Sequence, residues 1–334
     1  MIWLYIILAM LLLAALILIT AAFYLFKFAI ARSDKASMEK LIQSMKNRYK
    51  NDPVKKEWGY MIEEGYNNFL KEPAEEVFMT NREGLKLRAY LLECEGATKS
   101  VIFSHGWRSI PLFDFSCIWE YYKKHNFNIL LVEHRAHRDS EGKYLYFGVK
   151  ERFDLIDWAN WLGERYGKDK KIFMSGISMG SAAVMMAAGT EGLPENVVGA
   201  SCDCGYTSAE DIFRHVLKSK FNLPAFPILH VASIIAKRLA KFDFNEFTST
   251  EGVRNAKIPL VFIHGTADDF VPVEHTYINI DACRTEHVDV IVEGAEHGLS
   301  YFTDKKAVTE GLEKVLKKVF DDFEQKEKDE DFLA

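Results

Sequence analysis

The feature that most restricts what this chain can fold into is residues 170–189. There an apolar, strand-like run, Ile172-Phe-Met-Ser-Gly-Ile177, turns abruptly into a run of small residues suited to a packed helix, Met179-Gly-Ser-Ala-Ala-Val-Met-Met-Ala-Ala188. Ser178 stands at the turn, inside the pattern Gly176-Ile177-Ser178-Met179-Gly180. Passing from strand to helix in so few residues crowds the backbone on both sides of the serine, and glycine alone tolerates that crowding. The same geometry lifts the hydroxyl above the sheet edge. A helix beginning at Met179 also turns its first N–H groups towards the place where a negatively charged oxygen would develop. Ser178 is therefore the candidate nucleophile.

A hydroxyl attacks poorly until a base takes its proton, so a histidine held by a carboxylate is expected elsewhere in the chain. His297 follows the last strand-like run, in Glu293-Gly-Ala-Glu-His-Gly298, and Asp268 follows the preceding one, in His264-Gly-Thr-Ala-Asp-Asp-Phe-Val-Pro272. Asp269 and Asp203 compete for the same task, with an ordinary turn aspartate as the plain alternative for each. Glu296, beside His297, reads as a solvent-facing neighbour. A second backbone donor for a developing oxyanion is expected from the loop Ser104-His-Gly-Trp-Arg108, with the Trp107 N–H as candidate and the Met179 N–H as its partner.

The surrounding pattern supplies a sheet. Residues 76–92 alternate as a hairpin with a turn at Asn81-Arg-Glu-Gly84. Buried-looking runs at 100–105, 128–133, 196–201, 259–264 and 288–292 alternate with helical patterns, which predicts a mostly parallel sheet covered on both faces. A final amphipathic helix carries Val308, Leu312, Val315, Leu316, Val319 and Phe323.

Residues 1–26 carry no charged side chain and are long enough to cross a hydrocarbon core of roughly 30 Å. No basic residue precedes this run, unlike a secretory signal, so a retained single-pass membrane anchor is expected. Lys27, Arg32, Lys35, Lys40, Lys46 and Arg48 all follow it, a bias that places the rest of the chain on the cytoplasmic side of the cell membrane. The implied organisation is an anchor at 1–28, a helical juxtamembrane arm at 29–74, one catalytic domain at 75–326 and an acidic tail at 327–334. The arm's lysines suit either anionic lipid or plain solvent.

A net charge of −6 with no basic stripe excludes a nucleic-acid interface. Five cysteines without framework spacing read as free thiols, Cys202-x-Cys204 being too close for paired zinc ligands. His134 and His137 are flanked by Arg135 and Arg138, which argues against a metal there. Nothing in the pattern sets an oligomeric state.

Taken together, His105-Gly106-Trp107, the elbow around Ser178, His264-Gly-x-x-Asp268-x-x-Val271-Pro272 and Glu296-His297-Gly298 resemble the alpha/beta-hydrolase superfamily. The likeness is to membrane-anchored bacterial serine hydrolases of the peptidase-like and lysophospholipase-like branches, over about residues 76–320. It implies Ser178 as nucleophile, His297 as base, Asp268 as acid, an oxyanion hole from Trp107 and Met179, and no cofactor. It also implies a helical cap over the serine, here the apolar insertion at 209–256, for which burial against the sheet is the plain alternative. One loop departs from the usual Asp-x-Arg-Gly-x-Gly-x-Ser-x-Gly: Glu133-His-Arg-Ala-His-Arg-Asp-Ser-Glu-Gly142 has Ala136 and Arg138 where relatives have glycine. The expected activity is cleavage of an acyl ester or lipid-like substrate through an acyl-enzyme. A serine peptidase or amidase acting on short peptides and a catalytically silent binding module are the alternatives.

Overall fold

The computed structural model describes residues 1–32, 37–320 and 323. Its centre is an eight-stranded sheet in the order β1-β2-β4-β3-β5-β6-β7-β8. β1 (Glu75–Thr80) and β2 (Lys86–Leu92) form the expected hairpin, and β2 runs antiparallel to β4 (Phe127–Val132). β3 (Lys99–Ser104), β4, β5 (Lys171–Ile177), β6 (Val197–Asp203), β7 (Leu260–Gly265) and β8 (His287–Val292) are parallel. Side chains alternate between the two faces of a strand, so a strand covered on both faces reads as a continuous apolar run. Val101 and Phe103 accordingly enter one core and Ile102 the other, as do Ile129 and Leu131 against Leu130.

The helices before β5 are α1 (Ile2–Ala29), α2 (Met38–Tyr49), α3 (Trp58–Phe69), α4 (Pro111–Asp114), α5 (Trp119–Lys124) and α6 (Glu151–Tyr166). After it come α7 (Met179–Ala188), α8 (Ala209–Phe221), α9 (Ile228–Leu239), α10 (Ser249–Asn255), α11 (Glu274–Ala282), α12 (Ser300–Thr303) and α13 (Lys305–Val319). One core packs α2, α3, α5 and α13 on the sheet through Ile42, Ile62, Trp119 and Leu312. The other packs α6, α7, α10 and α11 through Trp158, Val184, Val253 and Ala282. The region expected as an arm thus contributes α2 and α3 to a domain core. Gly65 of α3 lies so close to the loop before α5 that a Cβ there would sit 2.1 Å from the Ser116 carbonyl oxygen, and the Trp119 indole donates to the Gly65 carbonyl at 3.1 Å.

α1 is long and apolar enough to cross a membrane. It is not uniform along its length. Residues 2–20 are exposed apart from the half-buried Leu18, whereas Ala22, Leu25, Phe26 and Ala29 are buried in a third core with α8, α9 and the start of α7. At 1.5 Å per residue the exposed part spans about 28 Å, close to one hydrocarbon thickness. Within 209–256, α8 and α9 form the cap, while α10 packs against α7 and α11 beside the sheet. The stretch expected as an acidic tail, 327–334, lies outside the described residues.

Candidate active site

β5 ends at Ile177, and Ser178 adopts φ 56° and ψ −115° before α7 begins at Met179. A non-glycine residue in that region is strained, and it is held here by its neighbours. The Ser178 N–H donates to the Asp203 carbonyl at 2.9 Å. The flanking glycines are required by space: a Cβ on Gly176 would lie 2.4 Å from the Gly180 carbonyl oxygen, and one on Gly180 would lie 1.8 Å from that of Ser104. The serine sits where β3 and β5 are neighbours while the chain leaves them in opposite directions across the sheet, the position at which open parallel sheets form crevices.

The loops after β7 and β8 bring the expected partners to it. The Ser178 hydroxyl meets His297 Nε2 at 2.9 Å, and His297 Nδ1 meets Asp268 Oδ2 at 2.6 Å. Asp268 Oδ1 accepts from the N–H groups of Phe270 and Val271 at 2.9 and 2.8 Å, and Oδ2 lies 3.2 Å from His264 Nε2. Burial alone pushes the Asp268 carboxyl up, but the hydrogen bonds from His264 and His297, with the backbone N–H of Val271, outweigh it and hold the group well below the usual carboxylate range. A carboxylate so held keeps the Nδ1–H tautomer on His297, leaving Nε2 free to take the serine proton.

The competing acids are placed elsewhere. Asp269 is exposed and pairs with Lys220 at 2.8 Å. Asp203 is buried behind the serine, where burial pushes its carboxyl up to about 6. Cys204, Asp268 and His297 offer ligand atoms within 4.8 Å of one another. Burial and two nearby carboxylates push the Cys204 thiol well up, so it stays protonated and makes a poor metal donor.

In the loop after β3, the Gly106 N–H donates to Asp114 Oδ2 at 2.7 Å and the Arg108 N–H to His137 Nε2 at 3.1 Å. Between them, the Trp107 N–H has no acceptor among the described residues, and neither has the Met179 N–H at the start of α7. Asp114 is the residue that sequence reasoning missed. It also accepts from the Ser109 hydroxyl at 2.6 Å, and burial pushes its carboxyl up to about 6. A lone carboxylate in the otherwise apolar Ile110-Pro-Leu-Phe-Asp-Phe115 was the available signal.

The buried rings of His105, His134 and His137 brace the same loop. His105 Nδ1 lies 2.8 Å from the Gly106 carbonyl while its Nε2 accepts the His134 N–H at 3.1 Å. His137 Nδ1 faces the Arg135 carbonyl at 3.0 Å, its other nitrogen taking the Arg108 N–H. With those lone pairs occupied, neither ring has one to offer a metal. Burial lowers all three rings, His134 to about 3 and His137 to about 4, so they are neutral. The flanking arginines turn away: Arg135 forms a buried pair with Asp154 at 2.6 Å, and Arg138 lies 3.5 Å from Glu133.

Glu296 does not face solvent as expected. It accepts from the Tyr49 hydroxyl at 2.8 Å and pairs with Arg48 and Lys55 at 2.6 Å each, so the His297 loop is tied to α2 and the turn after it. Those partners lie more than two hundred residues away along the chain, and no spacing pattern announces them.

No family model matches the chain. It is 23% identical over 279 residues to the uncharacterized protein YqkD of Bacillus subtilis, covering 82% of this chain and 90% of that protein. Among solved structures, the esterase Pf2001 of Pyrococcus furiosus superposes with a TM-score of 0.61 at 22% identity, covering 75% of this chain and 93% of that one. The chain has the alpha/beta-hydrolase fold. The acylaminoacyl peptidase of Pyrococcus horikoshii shares it, with a TM-score of 0.54 at 15% identity over 78% of this chain and 44% of that one. In this hydrolase fold the loop that departs from the usual glycine pattern keeps the glycine conformation: Ala136 and Arg138 take φ 58° and 40°. The strain of those two side chains is offset by the buried hydrogen bonds around them, including the Ala136 N–H to the Glu141 carbonyl at 2.9 Å.

Two cavities of the hydrolase fold meet at Ser178. One, of about 130 Å³, is almost wholly apolar and lies among α1, α8 and Phe147, Tyr206 and Phe270. The other, of about 300 Å³, opens past His297 towards α2 and is lined by Met45, Arg48, Ser109 and Phe113 among others.

Proposed function

We propose that this protein is a membrane-anchored serine hydrolase that cleaves carboxylic esters of an acyl chain. The observation that carries the proposal is the unbroken hydrogen-bonded series Ser178, His297, Asp268 at the junction of an apolar and a mixed cavity. In the reaction, Ser178 Oγ attacks the ester carbonyl carbon while His297 Nε2 takes the hydroxyl proton. The Trp107 and Met179 N–H groups bond the oxyanion, a contribution of several kcal/mol in comparable sites. Collapse breaks the bond from carbon to the alcohol oxygen, and His297 returns the proton to the departing alcohol. Water then attacks the acyl-serine with His297 again as base, releasing the acid and restoring Ser178. Asp268 holds the imidazole and balances its transient charge.

An acyl chain suits the apolar cavity, and the leaving group then points into the mixed one. Retention of α1 is supported by its burial: cleavage after it would strip Ala22, Leu25, Phe26 and Ala29 from the third core and expose the cap. The charge bias supports a cytoplasmic domain. The test is labelling of the full-length protein by a fluorophosphonate, with a panel of p-nitrophenyl acyl esters and aminoacyl amides. Labelling and ester turnover that vanish in Ser178→Ala support the reading. Faster turnover of the amides would make the protein a peptidase or amidase, and absence of labelling in folded wild type would make it a binding module.

A further inference from the structure

The apolar cavity beside Ser178 shares a wall with a neighbouring space, where the Phe28 and Phe221 rings meet edge to face with centroids 6.1 Å apart. Leu25, Phe28 and Phe221 line the apolar cavity and also line this second, larger one of about 540 Å³ between α1 and the cap. That second space is a groove: Leu16, Ile17, Thr20 and Ala21 form its α1 wall, and Leu217, Leu223 and Ile228 its cap wall. Its volume is that of an ordinary small-molecule site, and its lining is apolar except for the hydroxyls of Thr20 and Tyr24. The groove starts on the part of α1 exposed at bilayer length and ends on the part buried in the domain, so with α1 across a bilayer it would cross the level at which hydrocarbon gives way to headgroups. The cap beside it is also apolar on its outside: Phe226, in the turn between α8 and α9, is 76% exposed, and Leu223 and Leu239 are exposed too. Exposed apolar side chains beside an apolar groove suit contact with another apolar phase.

We propose that the groove between α1 and the cap is the passage by which the hydrocarbon chain of a bilayer lipid reaches Ser178 without crossing water. This rests on the hydrolase reading for what happens at the inner end, though the occupancy of the groove is a separate fact. The occupant is one acyl chain, its carbonyl at Ser178, its first carbons among Phe213 and Phe270, and its methyl end beside Leu16, Ile17 and Leu223. The passage is also coupled to the reacting centre: the Trp107 indole donates to the Ala29 carbonyl at 2.9 Å and Arg108 to that of Ala31 at 3.0 Å. The end of α1 is therefore bonded to the loop that carries the proposed oxyanion donor.

The experiment uses full-length Ser178→Ala protein in phosphatidylcholine vesicles with two palmitoyl esters, one bearing a diazirine near the carbonyl and one near the methyl end. After irradiation, crosslinked peptides are mapped by mass spectrometry. The expected result is crosslinking of the first probe around Phe213 and Phe270 and of the second around Leu16, Ile17 and Leu223. Filling the groove with Thr20→Trp or Ala21→Trp should lower the inner crosslinks by about tenfold, while Ile19→Trp, which is absent from the groove lining, should not. Even labelling of the whole exposed face of α1, methyl-end labelling around Met45 and Phe113 in the other cavity, or no labelling of the groove would each overturn the proposal. Failure of the hydrolase reading shows separately, as wild type that neither reacts with fluorophosphonate nor consumes the ester.

Discussion

Asp268→Asn separates the carboxylate's charge from its shape. Both oxygens are in use: Oδ1 accepts two backbone N–H groups at 2.9 and 2.8 Å, and Oδ2 faces His297 Nδ1 at 2.6 Å and His264 Nε2 at 3.2 Å. An amide has one acceptor and one donor end. With its oxygen on the backbone pair, its NH2 faces His297 Nδ1, and the imidazole must move its proton to Nε2. That nitrogen then meets Ser178 as a donor and takes no proton from it. The reverse orientation would set the NH2 against two backbone donors and leave both unsatisfied, at about 1–3 kcal/mol each, so the first orientation wins. His264 keeps the Val271 carbonyl at 2.8 Å and the Thr276 hydroxyl at 2.6 Å, so it loses only its longest contact. The expected loss is that of the general base, roughly 10⁴ in kcat or about 5 kcal/mol. The fold, which keeps the Oδ1 bonds, should lose no more than about 2 kcal/mol. The assay is kcat on p-nitrophenyl butyrate with a thermal melt, run beside Asp269→Asn, whose exposed side chain pairs only with Lys220 among these groups. A folded Asp268→Asn protein within about tenfold of wild type, or an equal loss in Asp269→Asn, would refute the assignment.

Two further outcomes follow from the groups around the site. Glu296→Gln removes the charge that holds Arg48 and Lys55 but leaves an acceptor for Tyr49; because these pairs are partly exposed the cost should be about 1 kcal/mol and shrink with salt. Amide exchange should quicken in α2 and not in α7, and unchanged protection in α2 would show that the pairs do not tether it. Asp114 has a folded pKa of about 6, above its ordinary value, so between about pH 4 and 6 the folded state binds more protons than the unfolded one and stability falls as pH rises. The size is on the order of 3 kcal/mol at most. Asp114→Asn, whose amide oxygen can still take the Gly106 N–H while its NH2 turns to Ser109, should flatten that slope in denaturant titrations at pH 4.5 and 6.5; an unaltered slope would place the titration elsewhere, Asp203 being the other carboxyl raised to about 6.

What could be read from the sequence, and what could not, divides by the range of the interaction. Ser178 was legible because the crowding that demands Gly176 and Gly180 is local. His297 and Asp268 were legible because each follows a strand-like run, and a parallel sheet delivers the ends of its strands to one edge. Trp107 and Met179 could be named for the same reason, but that the Trp107 N–H lacks an acceptor among the described residues while both its neighbours have one depends on Asp114 and His137. Glu296 was misjudged because its partners are on α2, and a carboxylate looks alike in sequence whether it meets water or a distant arginine. The burial of α1 was hidden by the same kind of degeneracy. Leu25, Phe26 and Ala29 are equally at home against lipid or against protein, so hydropathy gives one unbroken run where the structure has an exposed stretch and a buried one joined end to end. A helix that changes its surroundings partway along, without changing its composition, is well placed to pass an apolar molecule from one to the other, and the groove runs from Leu16 and Ile17 on the exposed part of α1 to Leu25 on the buried part.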